Sequence, residues 1–274
     1  MHLQSNDIRV HVAQQGEGDL ALVFLHYYGG SSRTWRLVTA QLADRYRTVA
    51  TDHRGWGESQ APEDGYGIAD LADDAQGIIE TLGLKRFVLV GHSMGGKTAQ
   101  LLASRRPEGL VGVVLVAPSP PSPMQLPDEQ RAVMAGAYTS RESVAWVLDN
   151  VLTASRLSDE LREQVIEDSL RGAPQAKWAW PNVAMRDDIA TQVAAIRVPV
   201  LVLSGDRDQV DPTETLRAEL LPRIPGARLE VLPGIGHLSP LEAPGLLARA
   251  IDRFVAGLPA PLRSAAAPSA ELAN

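Results

Sequence analysis

The hydrophobic pattern of the chain alternates between short apolar runs and longer segments with helical periodicity. This alternation is typical of parallel βα units, in which helices cover both faces of one sheet. The later apolar runs consist almost wholly of valine and leucine, as expected of strands buried on both faces. Strands are predicted at Ile8–Ala13, Leu20–Leu25, Thr48–Thr51, Phe87–Val90, Val111–Val116, Val200–Leu203 and Leu229–Val231, and helices at Thr34–Asp44, Ile68–Leu82, Lys97–Arg106, Thr213–Leu221 and Pro240–Val255.

The alternation is interrupted once, after the run that ends at Ala117. The sequence PSPPSP follows, which can continue neither a helix nor a strand. The segment beyond it has helical periodicity and no strand-like run before residue 196. We therefore predict a core domain formed by residues 1–119 and 196–258, with a helical cap inserted at residues 120–195. The tail at residues 259–274 is rich in alanine, proline and serine and is predicted to be disordered.

Composition narrows the function classes. The chain has 274 residues, enough for one large α/β domain with an insertion, and no cysteine, which excludes thiol catalysis, disulfides and cysteine-ligated metals. Its net charge of −7 disfavours nucleic acid and anionic membrane as partners. No apolar run approaches the roughly 18 residues of a membrane span, and the N-terminus lacks a signal-peptide pattern. We expect a cytoplasmic protein.

The candidate nucleophile lies where one apolar run meets a helix. Phe87–Val90 leads directly into Gly-x-Ser-x-Gly, formed around Ser93, and the predicted helix follows at once. This strand–turn–helix context is that of a nucleophile elbow. The turn is tight, so the positions two before and two after the serine need minimal side chains, and Gly91 and Gly95 provide them. The motif alone arises by chance in roughly one chain in ten of this length, so further residues must support it.

A serine nucleophile needs a base and an acid that orients the base. Of the six histidines, only His237 follows Ser93, and it lies in a glycine-rich loop after the last predicted strand. The acid is expected between them, at the end of a strand. The loop after Val200–Leu203 offers Asp206, Asp208 and Asp211, of which Asp211 precedes a proline as a helix N-cap would. The residues themselves do not distinguish Asp206 from Asp208.

Together these motifs resemble the α/β-hydrolase superfamily, and the subfamily resemblance is to small serine esterases whose elbow reads GHSMGGK, as Gly91–Lys97 does. The resemblance implies a mostly parallel central sheet flanked by helices, with a helical cap. The family's acid stands three residues after a glycine and four before a proline, which selects Asp208 between Gly205 and Pro212. The alternative acid position of the family, after the preceding strand, holds no carboxylate in Ala117-Pro118-Ser119.

The resemblance also implies an oxyanion hole. One donor is the backbone N–H of Met94, and the other is that of Tyr28, in the loop after Leu20–Leu25. Tyr27 stands where family members usually have glycine, so it is predicted either to line the substrate site or to form a packed aromatic pair. The loop DHRGWGES at residues 52–59 resembles a structural loop of the family. Lys97 is expected to be a solvated helix residue, and the His92 side chain to point away from the site.

These residues predict a metal-free and cofactor-free serine hydrolase that cleaves carboxylic esters of small or medium apolar substrates. Trp146, Trp178 and Trp180 of the cap are candidate substrate-binding residues, although each is also consistent with the core of the cap itself. The same triad would serve a carbon–carbon bond hydrolase or an enol-lactonase. A cofactor-free perhydrolase or haloperoxidase is less favoured, because those tend to carry proline where this chain has Gly29. A ligand-binding receptor is a further alternative. The oligomeric state, a homo-oligomer included, stays open.

Overall fold

The computed structural model describes residues 1–259. Apart from its first position, the tail predicted to be disordered, residues 259–274, lies outside the described residues. Eight strands are present in the described part: β1 His2–Ser5, β2 Ile8–Gln15, β3 Ala21–Leu25, β4 Arg47–Thr51, β5 Phe87–His92, β6 Leu110–Val116, β7 Val200–Gly205 and β8 Arg228–Leu232. They form one sheet in the order β1-β2-β4-β3-β5-β6-β7-β8.

In the described residues the strand pairs from β4 to β8 along this order are parallel, whereas β2 pairs in antiparallel fashion with both β1 and β4. This confirms the predicted mostly parallel sheet. Strand β1 is not among the predicted strands, because its sequence HLQS has only one large apolar residue. It pairs with β2 across a tight turn in which Asn6 adopts a φ of 49°.

Helices cover both faces of the sheet. Their bounds are α1 Arg36–Leu42, α2 Ile68–Thr81, α3 Met94–Ser104, α4 Asp128–Gly136, α5 Arg141–Val147, α6 Asp159–Arg171, α7 Pro174–Asn182, α8 Thr213–Glu219, α9 Ser239–Glu242 and α10 Pro244–Ala256. Within β3 the side chains alternate between the two faces. Val23 and Leu25 pack with α2, α3 and α8, whereas Leu22 and Phe24 pack with α1 and α10.

Four helices, α4 to α7, lie between β6 and β7, and they are here called the cap. A third apolar cluster joins them to the core, and it contains Trp56 and Met94 from the core side together with Val144, Leu148 and Trp180 from the cap. The two segments that connect the cap to the sheet pair with each other. Met124 donates its N–H to the Met185 carbonyl (3.0 Å), and Ile189 donates to the Pro121 carbonyl (3.0 Å).

The parallel strands bring their carboxyl ends to a single edge. The loops that follow β3, β5, β7 and β8 therefore meet there, and they carry Tyr28, Ser93, Asp208 and His237 respectively. No helix within residues 1–259 combines the length and the apolarity that crossing a bilayer requires.

Candidate active site

Ser93 occupies a strained turn between β5 and α3. Its φ of 53° and ψ of −115° lie in a region that residues with a side chain rarely adopt, at a typical cost of about 1–3 kcal/mol. The flanking glycines make the turn possible. A Cβ on Gly91 would lie 2.3 Å from the Gly95 carbonyl oxygen, and one on Gly95 would lie 2.4 Å from the Leu25 oxygen. The structure therefore contains the predicted elbow, with Ser93 immediately before the N-terminus of α3.

His237 and Asp208 form a buried hydrogen-bonded pair. His237 Nδ1 lies 2.8 Å from Asp208 Oδ2, and both residues are at most 5% exposed, like Ser93 at 4%. The other carboxylate oxygen, Oδ1, accepts the N–H groups of Val210 (2.8 Å) and Asp211 (3.1 Å). These three groups fix the carboxylate in place, and the bond to Asp208 uses Nδ1 of His237 and not Nε2.

Each member of the pair shifts the pKa of the other. Burial opposes the charged form of Asp208, but the attraction of His237 and its hydrogen bond outweigh burial and lower the pKa of that carboxyl. Burial likewise opposes a charged His237, yet the Asp208 carboxylate prevails and raises the pKa of that imidazole. The arrangement stabilises an imidazolium next to a carboxylate, as a general base requires.

The three aspartates that follow β7 have different hydrogen-bond partners. Asp206 accepts the N–H of Gly234 (2.6 Å) in an exposed turn, so it supports the loop locally. Asp211 is buried and has its nearest partner, the Ser119 hydroxyl, at 3.5 Å; burial raises the pKa of Asp211 to about 8. Among the three, it is Asp208 whose side chain hydrogen-bonds to His237.

The loop at residues 26–30, here called the oxyanion loop, lies against the elbow, because the Gly95 N–H donates to the His26 carbonyl (3.1 Å). Met94 is the first residue of α3, so its N–H has no partner within the helix. Tyr27, at the usual glycine position, has a negative φ, and the left-handed conformation falls on Gly29 at φ 97°. The Tyr27 ring is fully buried 5.2 Å from that of His92.

Residues 21–244 match the family described as alpha/beta hydrolase fold. The chain belongs to the α/β-hydrolase family. It is 29% identical over 259 residues to a 2-(acetamidomethylene)succinate hydrolase from Mesorhizobium japonicum, which covers 90% of this chain and 92% of the relative. An esterase from Thermogutta terrifontis superimposes with a TM-score of 0.81 at 27% identity, covering 93% of this chain and 97% of the esterase. An esterase from Exiguobacterium antarcticum, 24% identical, shares the fold with a TM-score of 0.85 over 93% of this chain and 98% of its own.

The three cap tryptophans of this α/β-hydrolase lie in different environments. Trp180 is buried, with its ring 6.2 Å from that of Tyr28, and together with Met94 it lines a cavity of about 10 Å³, room for one water at most. Trp146 and Trp178 are 61% and 58% exposed. Their positions on the outside of the cap do not support the prediction that they bind substrate in the closed site.

Lys97 differs from the expectation of a solvated helix residue. Its side chain is fully buried, because α3 lies beneath the segments that lead into and out of the cap. The ammonium group donates to the Ser122 carbonyl (3.3 Å) and the Met185 carbonyl (3.2 Å), one on each segment, and burial lowers the pKa of Lys97 to about 8. Lys97 therefore fastens the base of the cap to the core.

The loop at residues 52–59 has the structural role that the family resemblance implies. The Asp52 carboxylate accepts the backbone N–H groups of Ser32 (2.5 Å) and Glu58 (2.8 Å) and contacts His11 Nδ1 (3.0 Å). Burial opposes this charge, but these partners prevail and hold the pKa of Asp52 well below its usual range. Asp52 thereby links three segments of the core.

Two supporting residues have no signal in the sequence. His92, expected to point away from the site, donates Nε2–H to the backbone carbonyl of His237 (2.8 Å), which brings the His237 loop against the residue before Ser93. Glu242 accepts the N–H of Gly236 (3.0 Å) and the N–H of Ala154 (2.8 Å), tying the same loop to the cap. Both contacts join residues far apart along the chain or in an irregular loop, where no periodicity reveals them.

Among residues 1–259, no group of three or more histidine, aspartate and glutamate side chains is arranged to hold a metal ion.

Proposed function

We propose that this α/β-hydrolase cleaves carboxylic esters with small or medium apolar groups, through Ser93, His237 and Asp208. The observation that carries the proposal is the buried 2.8 Å hydrogen bond between His237 and Asp208, whose loops lie at the same edge of the sheet as a serine in the strained elbow conformation. The esterase likeness in sequence and structure supports the same class of reaction.

In the proposed reaction, Ser93 Oγ adds to the ester carbonyl carbon while its proton passes to Nε2 of His237. The carbonyl oxygen becomes an anion, which the N–H groups of Met94 and Tyr28 stabilise. Collapse of this intermediate expels the alcohol oxygen, which takes the proton from His237. Water then attacks the acyl group on Ser93 with His237 again as base, and the acid leaves. One water is consumed, and nothing is oxidised or reduced.

The charges around the site favour an uncharged substrate. Arg54, which lines the small cavity beside Met94, binds the Asp74 carboxylate through two nitrogens at 2.6 Å and 2.7 Å and donates a third bond to the Gly65 carbonyl. Lys97 is occupied by two backbone carbonyls. A substrate carboxylate would have to displace one of these contacts, and an unpaired buried charge is strongly unfavourable.

An ester series tests the proposal. We expect turnover of p-nitrophenyl esters between acetate and decanoate, with the optimum at short or medium chains. p-Nitrophenyl butyrate should be preferred over p-nitrophenyl hemisuccinate by at least about tenfold in kcat/KM, because the two differ by one terminal carboxylate that would lack a partner. A preference for the hemisuccinate would contradict the uncharged substrate class. Turnover of enol-lactones or vinylogous diketones without turnover of any ester would contradict the esterase itself.

The pH dependence follows from the raised pKa of His237. Only the neutral imidazole accepts the proton of Ser93, so activity falls as pH drops through the pKa of that group. The carboxylate of Asp208 raises this pKa above the usual 6.5 despite burial. We therefore expect the acid limb of kcat/KM for p-nitrophenyl butyrate to have its midpoint above pH 6.5 at constant ionic strength. A constant kcat/KM down to about pH 5 would contradict a histidine base in this environment.

A further inference from the structure

Every backbone carbonyl of Tyr27, Tyr28 and Gly29 in the oxyanion loop has a hydrogen-bond donor. The Tyr27 carbonyl accepts the Gly30 N–H (3.0 Å) and His26 Nδ1–H (2.7 Å). The other two partners come from the cap. The Tyr138 hydroxyl donates to the Tyr28 carbonyl (3.1 Å), and the Ser169 hydroxyl donates to the Gly29 carbonyl (2.9 Å).

These carbonyl contacts fix the directions of the N–H groups. In a trans peptide the N–H points opposite to the C=O of the same unit, so holding one group orients the other. The Ser169 bond to the Gly29 carbonyl therefore orients the N–H of Gly30, which in turn donates to the Tyr27 carbonyl. That carbonyl shares its peptide unit with the N–H of Tyr28, the proposed oxyanion donor. Tyr138 fixes the next peptide unit by the same means.

The fit between Tyr138 and the loop is close. A Cβ on Gly29 would lie only 2.5 Å from the Tyr138 ring, and Gly29 has a left-handed φ of 97°, so both the contact and the backbone favour glycine at this position. The Tyr138 ring also lies 4.9 Å from that of Tyr28. Tyr138 lies in the turn between α4 and α5 and is 3% exposed, and Ser169 lies in α6 and is 0% exposed. Bulk water therefore does not compete for the hydrogen bonds that their hydroxyls donate to the loop.

We infer that Tyr138 and Ser169 are positioning residues of the oxyanion hole, so that the cap supplies part of the catalytic geometry when it is seated on the core. This inference rests on the proposed ester hydrolysis. A cap that lifts removes both hydroxyls, and the Tyr28 N–H then loses the contacts that direct it.

Removal of each hydroxyl tests the inference. Tyr138→Phe keeps the ring against Gly29, and Ser169→Ala keeps the helix. Each should lower kcat for p-nitrophenyl butyrate by about tenfold while KM changes little. A misdirected Tyr28 N–H weakens the stabilisation of the negative charge that develops on the substrate oxygen in the transition state, and substrate binding depends little on it. The matched controls are Tyr46→Phe, whose hydroxyl bonds Asp252 (2.8 Å), and Ser104→Ala, whose hydroxyl bonds the Leu101 carbonyl (2.7 Å); both should retain wild-type kcat.

A second substrate distinguishes a misdirected oxyanion donor from a general disturbance of the active site by the substitutions. In the corresponding thionoester the reacting C=O is replaced by C=S, and sulfur is a weak hydrogen-bond acceptor. In both variants we expect the thionoester to lose less activity than the ester, so the oxygen-to-sulfur ratio of kcat/KM falls several-fold below wild type. Equal losses on the two substrates, or ester activity equal to that of the controls, would overturn the inference.

Failure of the proposed ester hydrolysis gives a different result from failure of the positioning inference. A wild type that turns over neither substrate contradicts ester hydrolysis. The inference is then tested by the rate at which a fluorophosphonate labels Ser93, since phosphonylation also places a developing anion against the oxyanion donors. Slower labelling of Tyr138→Phe and Ser169→Ala than of the two controls supports the positioning role, and equal rates overturn it.

Discussion

Replacement of Ser93 by alanine is expected to lower kcat for p-nitrophenyl butyrate by about 10⁶-fold, because no other group forms the acyl-enzyme. In the proposed reaction its oxygen is the nucleophile, and the His237–Asp208 pair takes its proton. The substitution removes only that oxygen, and alanine bears the same backbone strain at φ 53° as serine does. We therefore expect the melting temperature of Ser93→Ala to stay close to that of the wild type.

The measurement compares initial rates of the wild type, Ser93→Ala and the matched control Ser104→Ala. Ser104 lies at the end of α3 and bonds its own helix, so its loss should leave turnover unchanged. A residual rate in Ser93→Ala within about tenfold of the wild type would contradict a serine nucleophile at this position.

Replacement of Asp208 by asparagine is expected to lower kcat by about 10⁴-fold. The amide has nearly the same shape as the carboxylate, but it carries no charge to stabilise the imidazolium and can present its N–H₂ to Nδ1, which favours the wrong tautomer of His237. Asp211 does not replace Asp208, because its burial raises its pKa to about 8 and it contacts Ser119 at 3.5 Å instead of the imidazole.

The matched control is Asp206→Asn, two residues earlier in the same loop. Asp206 accepts the Gly234 N–H in an exposed turn, whereas Asp208 is the aspartate that hydrogen-bonds to His237. We expect this variant to keep kcat within about threefold of the wild type. A larger loss in Asp206→Asn than in Asp208→Asn would contradict the assignment of the acid, and so would a pH profile of Asp208→Asn identical to that of the wild type.

Local patterns predicted much of this site. The elbow could be predicted because its mechanics require two glycines around a serine at a strand–helix junction, and His237 because it alone among the histidines follows Ser93. Asp206 and Asp208 could not be separated from the residues, since both follow β7 and only the direction of the side chain differs. The family spacing selected Asp208, which is the one that contacts His237.

What the sequence could not predict depends on long-range packing. Lys97 has the charge of a surface residue, but the cap connections pass over it and bury it. Exposed Trp146 and buried Trp180 are both large apolar residues of the cap, and residue type alone does not predict which of them is buried. The contact of Tyr138 with Tyr28 spans 110 residues, and that of Ser169 with Gly29 spans 140. Such contacts follow from the seating of the cap, which no local motif encodes.

The most direct test of the central claim is covalent labelling of the folded protein with a fluorophosphonate, followed by peptide mass mapping. We predict one adduct on the peptide that contains Ser93, at a rate that falls as pH drops through the pKa of His237 and that is lost in Ser93→Ala. Labelling of another residue with Ser93 unmodified, or no adduct at all in a protein that remains folded, would contradict a serine nucleophile activated by His237 and Asp208.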